Sequence, residues 1–312
     1  MTVRLQRANV RSSRWSARLP RWSVVAGLTV ASAALAVGVQ PVQAAPGHPA
    51  SARKDDGSSS SFRVATFNVL GASHTGPAGD KKHFDGYEAR TPRAVALLDA
   101  NHIDAVGLQE FQMPQWRLFK QIVRNAWHTY PGRRLGDQPV QNSIAWRTSV
   151  WKPVEKNTFE IPYFKGRPVK VPYVKLRHRV TGREVWFMNV HNPADKYGAA
   201  AQWRRRAVGI ESALASRLSE NGTPVVLTGD FNDRETAFCQ VTRLSPLVST
   251  SGGSYGGGKC TPPTRMPVDW VFTSRTLTPS NYTIVEGPAV ADVTDHFVVY
   301  SDLSFGKQAK RH

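Results

Sequence analysis

The stretch PVVLTGDFN, residues 224–232, decides how this chain is read. Val225, Val226 and Leu227 open it as an apolar β-like run, which Thr228 and Gly229 carry on to Asp230. Asp230 and Asn232 are two apart, so in extended backbone both side chains leave on one side. A carboxylate buried at a strand end costs free energy unless a charge or a hydrogen bond meets it. Gly229, just before it, permits close backbone approach or an unusual dihedral. Taken alone, the stretch is equally an ordinary strand exit closed by Asp and Asn.

The same interruption recurs along the chain. Asn68 sits in ATFNVL, Glu110 ends AVGLQE, His191 follows MNV, Asp269 lies in PVDWVF, and Asp295-His296 open the strand-like TDHFVVY. Asp269, flanked by Val268 and Trp270, needs a partner, and a histidine or lysine would serve. His296, beside an acid at a strand mouth, suits a general base or a charged donor to phosphate. Polar groups at several strand ends call for a joint explanation, and a shared site supplies one.

Six arginines (Arg4, Arg7, Arg11, Arg14, Arg18, Arg21) precede the apolar run VVAGLTVASAALAVGV, and the small residues of PVQAAPG follow. That order predicts a signal peptide over residues 1–44, its apolar part short and small-sided for a membrane span. The expectation is a secreted, extracellular protein without stable membrane insertion after cleavage. Residues 1–44 hold no other charge, so the remainder keeps +12 of the formal +18. A positive surface tilts the choice of partner toward polyanions. Residues 45–61 read as a disordered leader, 62–303 as one domain, and 304–312 as a basic tail. Cys239 and Cys260 are the only cysteines. An even count in an exported chain suggests one disulfide, which would contribute about 3 kcal/mol.

Residues 62–70, 103–110, 142–147 and 150–161 read as strands. Residues 171–193 form a hairpin turned at Thr181-Gly182, and 268–274, 282–287 and 296–303 are strands as well. Helical patterns cover residues 90–102, 112–126 and 199–220. Strands outnumber helices and many are joined by short turns. The fold class is therefore an α/β (α+β) four-layer sandwich, two packed, mainly antiparallel sheets with helices outside.

ATFNVL, GLQE, NVHNP, GDFN, VDWVF and TDHF occur in the order seen in the endonuclease/exonuclease/phosphatase superfamily, which the chain resembles over nearly all of residues 62–302. The resemblance implies a deoxyribonuclease-like fold, and the cysteine placement is similar to the secreted deoxyribonuclease branch. It further implies that Asn68, Glu110 and Asp295 belong to the metal side, Glu110 being the principal ligand. His191 and His296 would contact the scissile phosphate, and Asp230 and Asn232 would position the attacking water. Asp269 would orient a histidine, and Asn142 would be a further phosphate contact. The Asn-Pro after His191 departs from the Thr-His-Leu context of many members. The candidate ligands bear oxygen, which favours Mg²⁺, or else Mn²⁺ or Ca²⁺.

The expected substrate is nucleic acid, DNA first, cleaved by a monomer. The basic residues Lys165, Arg167, Lys170, Lys175, Arg177 and Arg179 would track a phosphate backbone, with Arg177 the named substrate contact. Arg204-Arg205-Arg206 reads as plain helix surface. A sphingomyelinase-like phospholipid phosphodiesterase is the first alternative, with Tyr163-Phe164 or Tyr255 as bilayer anchors. A phosphomonoesterase and a non-catalytic binding module complete the range.

Overall fold

The computed structural model describes residues 61–306. The expected signal peptide (1–44), most of the expected leader and the end of the tail (307–312) lie outside the described residues. In chain order the first half holds β1 (Ser61–Asn68), α1 (Ala72–Thr75), α2 (Tyr87–Ala100), β2 (Ala105–Gln109), α3 (Met113–Val123), β3 (Trp127–Tyr130), α4 (Asp137–Val140) and β4 (Ser143–Arg147). The second half runs β5 (Trp151–Pro162), β6 (Pro168–His178), β7 (Glu184–His191), α5 (Ala201–Ser219), β8 (Val225–Asp230), α6 (Glu235–Leu244) and β9 (Leu247–Ser249). It finishes with β10 (Ser254–Gly256), β11 (Lys259–Thr261), β12 (Asp269–Ser274), β13 (Leu277–Val285), α7 (Pro288–Ala291) and β14 (Val298–Phe305). Strand pairing thus begins at Ser61 and continues two residues past 303.

Two six-stranded sheets form, in the orders β13-β14-β1-β2-β4-β3 and β5-β6-β7-β8-β12-β9. One pair in each runs parallel, β1/β2 and β7/β8, and every other neighbouring pair is antiparallel. Parallel neighbours need a crossover, and α2 and α5 lie in those two connections. β4 and β5 are successive, as their sequence suggests, yet they belong to different sheets.

Three apolar layers hold these elements together. Ala94, Leu98 and Phe119 of α2 and α3 pack on Phe67, Val106 and Leu108 of the first sheet. Val208, Leu214, Phe238 and Val241 of α5 and α6 cover Val190, Leu227 and Phe272 of the second. Between the sheets lie Phe62, Trp151, Val174, Phe187, Val226 and Leu303. Helix, sheet, sheet and helix therefore alternate, which is the four-layer sandwich.

Details depart from the sequence reading. α2 starts at Tyr87, ahead of Arg90, and keeps Pro92 inside. Helix α6 was not foreseen; it carries Cys239, bonded to Cys260 on β11 with Cα atoms 5.6 Å apart. The Gly-rich segment is thus pinned as the β10/β11 hairpin against a helix. Arg204 is buried, not surface: it donates to Pro193 O (3.0 Å) and to Asp195 (3.1 and 3.2 Å). Among the described residues, no helix is long and apolar enough to cross a membrane.

Candidate active site

Asp230 closes β8, and its carboxylate, only 1 % exposed, is where the two sheets meet. Its Oδ2 accepts from Asn68 Nδ2 at 3.1 Å and lies 3.4 Å from His191 Nε2 and 3.6 Å from His296 Nε2. Its Oδ1 accepts the Asn232 backbone N–H at 2.9 Å. Strand register produces this convergence. His191, Asp230 and Asp269 are direct cross-strand partners on β7, β8 and β12, so they occupy one row at the sheet's end. Gly229 makes the close approach possible: a Cβ there would stand 2.5 Å from Val190 Cγ2.

His296 Nδ1 meets Asp269 Oδ2 at 3.0 Å, which supplies the partner that Asp269 required and leaves Nε2 facing Asp230. Burial alone would lower the proton affinity of His296. The carboxylates of Asp269, Asp230 and Asp295 override it and hold the imidazole above its usual value. Thr294 Oγ1 donates to Asn68 O (2.8 Å), tying the segment before His296 to the end of β1.

On the first sheet's side, Glu110 follows β2 with φ +55, a strained value for a non-glycine residue. Its Oε1 accepts from Asn68 Nδ2 (3.1 Å), and its Oε2 accepts the Gly71 N–H (2.8 Å) and lies 3.2 Å from His74 Nε2. Burial pushes this carboxyl up, but the His74 contact, the charge of His191 and the Gly71 N–H outweigh it, so the group lies well below the usual range. His74 is pushed up to about 9 by its Glu110 hydrogen bond, against burial and with help from Asp80. His74 Nδ1 lies 2.6 Å from Asp80 Oδ1, and Asp80 Oδ2 accepts from Lys196 Nζ at 2.9 Å.

The structure brings together Asn68, Glu110, His191, Asp230, Asn232, Asp269 and His296. Asn68 enters through its NH₂, because its Oδ1 is taken by the Leu70 N–H at 3.1 Å. It bridges two carboxylates as a donor, where an oxygen ligand was expected. Extended backbone does not persist to Asn232, which has φ +48 and donates to Asn192 O (2.9 Å). Asp295 sends its carboxylate to Lys81 Nζ (2.8 Å) and lines a neighbouring cleft of about 260 Å³. Asn142 is buried, its Oδ1 lacks a hydrogen-bond partner among the described residues, and its neighbour Gln141 lines the main cleft.

Arg177 is not brought to the site. It pairs with Glu184 (2.6 Å) at the opposite end of β7 from His191, about 20 Å away at strand rise. Lys175 is likewise engaged by Glu155. Tyr163 and Phe164 do not stand out as bilayer anchors, since they line the site's cleft. Sequence reasoning missed His74, Asp80, Lys196 and Tyr197; all lie in loops or single turns without periodicity.

The site is the floor of a cleft of about 670 Å³. Among the described residues, Asp230, Asp269 and His296 form a group whose ligand atoms lie within 4.8 Å of one another. Two buried carboxylates here, with Glu110 reached through Asn68, concentrate negative charge in a poorly solvated floor. This donor set, mostly oxygen, fits a divalent cation of the hard type.

The geometry and the family comparison agree. The model for the Endonuclease/Exonuclease/phosphatase family matches residues 65–296, and the chain belongs to that family. No curated protein matches the sequence. Among solved structures, an endonuclease/exonuclease/phosphatase family protein from Bacteroides thetaiotaomicron is similar at TM-score 0.63 and 20% identity, covering 81% of this chain and 98% of that one. A mannosyl-6-phosphatase from the same species has TM-score 0.60 and 21% identity over 78% of this chain and 100% of its own. D. rerio TDP2 complexed with single strand DNA product has TM-score 0.57 and 15% identity over 78% and 99%. These likenesses establish a shared fold. With the buried acidic and histidine cluster, family membership makes the chain a metal-dependent phosphoesterase in general type.

Proposed function

We propose that the protein is an exported nuclease, a monomer that hydrolyses phosphodiester bonds of nucleic acid, DNA first, with Mg²⁺ or else Mn²⁺ or Ca²⁺. The carrying observation is the convergence of Asn68, Glu110, His191, Asp230, Asn232, Asp269 and His296 on one cleft floor. Glu110, hydrogen-bonded by Asn68, would hold the cation. A divalent ion in this place neutralises charge that grows on phosphate oxygens. His191 and His296 donate hydrogen bonds to the phosphate, and Asp269 keeps the His296 ring turned toward it. Asp230 accepts the proton of the attacking water, and Asn232, anchored on Asn192 O, orients that water.

Nucleic acid is favoured by the +12 formal charge of residues 45–312 and by exposed Lys165, Arg167 and Lys196 near the cleft. The D. rerio TDP2 complex supports the reading, because that related fold holds a single-stranded DNA product. Export rests on the basic, apolar and small residues of 1–44.

The test is turnover by purified protein of plasmid DNA, RNA, sphingomyelin and a phosphomonoester, with Mg²⁺ or with EDTA. DNA or RNA cleavage abolished by EDTA is expected, and His296→Ala should lower it about 10²- to 10⁴-fold. Turnover of lipid or monoester alone would keep the metal-dependent site and overturn the nuclease reading.

A further inference from the structure

The turn joining β5 to β6 carries aromatic rings that the chemistry above does not use. Tyr163 lies 5.7 Å from the His191 ring, Phe164 follows at 4.2 Å, and Tyr197, from the segment after β7, meets Phe164 at 4.7 Å. All three line the cleft. Their interplanar angles are 70°, 49° and 84°, so none of these contacts is a face-to-face stack. Phe164 and Tyr197 therefore form a nearly right-angled corner, and Tyr197 is 58% exposed.

The corner is built rather than incidental. Lys165 has φ +57 and Gly166 φ +75, both in the left-handed region, within one short turn. A Cβ on Gly166 would stand 2.7 Å from the Trp203 indole of α5. The turn is in close contact with that indole, and Pro162 faces Pro168 where the two strands close. Strained backbone on a rigid support is held in place for what it presents. Lys165, Arg167 and Lys196, all exposed, belong to the same two segments.

We propose that the Phe164–Tyr197 corner seats the base next to the scissile phosphate, so that the enzyme takes unpaired strands over duplex. The inference rests on the nuclease reading and adds to it. Aromatic faces beside cations suit a planar base flanked by phosphates. A duplexed base has both faces covered and must leave its stack to reach such a corner. An uncharged sugar ring would stack on the same faces but makes no use of the surrounding cations.

The experiment measures kcat/KM with Mg²⁺ on a single-stranded oligodeoxynucleotide, the same strand with abasic sites flanking the cleaved phosphate, and its duplex. Tyr197→Ala and Phe164→Leu are compared with wild type after thermal unfolding confirms that each is folded. The expected result is a preference for the single strand, with a loss of about 5- to 150-fold in the variants on the base-bearing strand and a far smaller loss on the abasic one. Equal losses on both strands, or equal wild-type cleavage of duplex and single strand, overturn the corner and leave the nuclease standing. Variants that lose turnover of a sugar phosphate, and not of the strand, assign the corner to a carbohydrate and also overturn it. Wild type that cleaves no oligonucleotide overturns the nuclease reading itself, so the two failures are told apart.

Discussion

The space between the two sheets has opposite chemistry at its two ends. At one end, Phe62 packs edge-on to Trp151 (4.9 Å), Trp151 to Phe187 (5.1 Å), and Phe305 tilts against Phe62 (5.4 Å). At the other, Gln109 Nε2 donates to Asn189 Oδ1 (2.6 Å) and Thr66 Oγ1 (3.0 Å), while Asn189 Nδ2 reaches Leu108 O and Ser143 O. The same strands supply both ends: β1 runs from Phe62 through Thr66 to Asn68, and β7 from Phe187 through Asn189 to His191. Apolar contact binds without direction, whereas buried amides demand specific partners. The aromatic end therefore supplies cohesion, and the polar end fixes how the two sheets register beneath the site.

The largest stability effect should come from the aromatic end. Phe187→Ala is expected to cost about 3–5 kcal/mol in denaturant unfolding, with kcat of the folded fraction kept. A comparable loss of kcat would show that the two ends are not separable. Next comes Glu211 on α5, whose buried carboxyl asks whether polarity away from the inter-sheet space behaves alike. Burial raises it from 4.5 to about 8, against the hydrogen bond from Asn192 Nδ2. The folded state holds this proton after the unfolded chain has released it. Stability should therefore fall as pH rises from about 4.5 to about 8, at up to about 1.4 kcal/mol per pH unit, then level off. Glu211→Gln should flatten that window in thermal melts, and an unchanged slope would assign the dependence elsewhere. The smallest effect is expected at the polar end. A Cβ at Gly107 would lie 2.1 Å from Thr228 Oγ1 and 2.2 Å from Asn189 Oδ1. Gly107→Ala should cost about 1–3 kcal/mol and, unlike Phe187→Ala, also lower kcat. A loss of stability alone would make this end ordinary packing.

Legibility in the sequence followed the same division. Asp230, Asp269 and His296 were readable because each interrupts an apolar strand, where a polar residue has few innocuous explanations. The sheets were readable from alternation and short turns. Arg177 was misplaced because alternation tells which face a residue takes but not which end of the strand lies near a site. His74, Asp80 and Lys196 gave no signal, since loops and single turns carry no period against which a residue could stand out. Helix α6 spans only 10 residues, too few for a helical period to stand out. The φ of +48 at Asn232 belongs to tertiary context, which single-strand reasoning does not see.

The contacts around Asp230 join residues far apart along the chain: Asn68 is 162 positions from Asp230 and 228 from His296. Pairings of such long range close large loops before they repay that entropy, so they form slowly and late. No fragment that stops before residue 296 contains the whole set. Assembly of the site is therefore a property of the whole domain, completed only when the segment leading into β14 is in place.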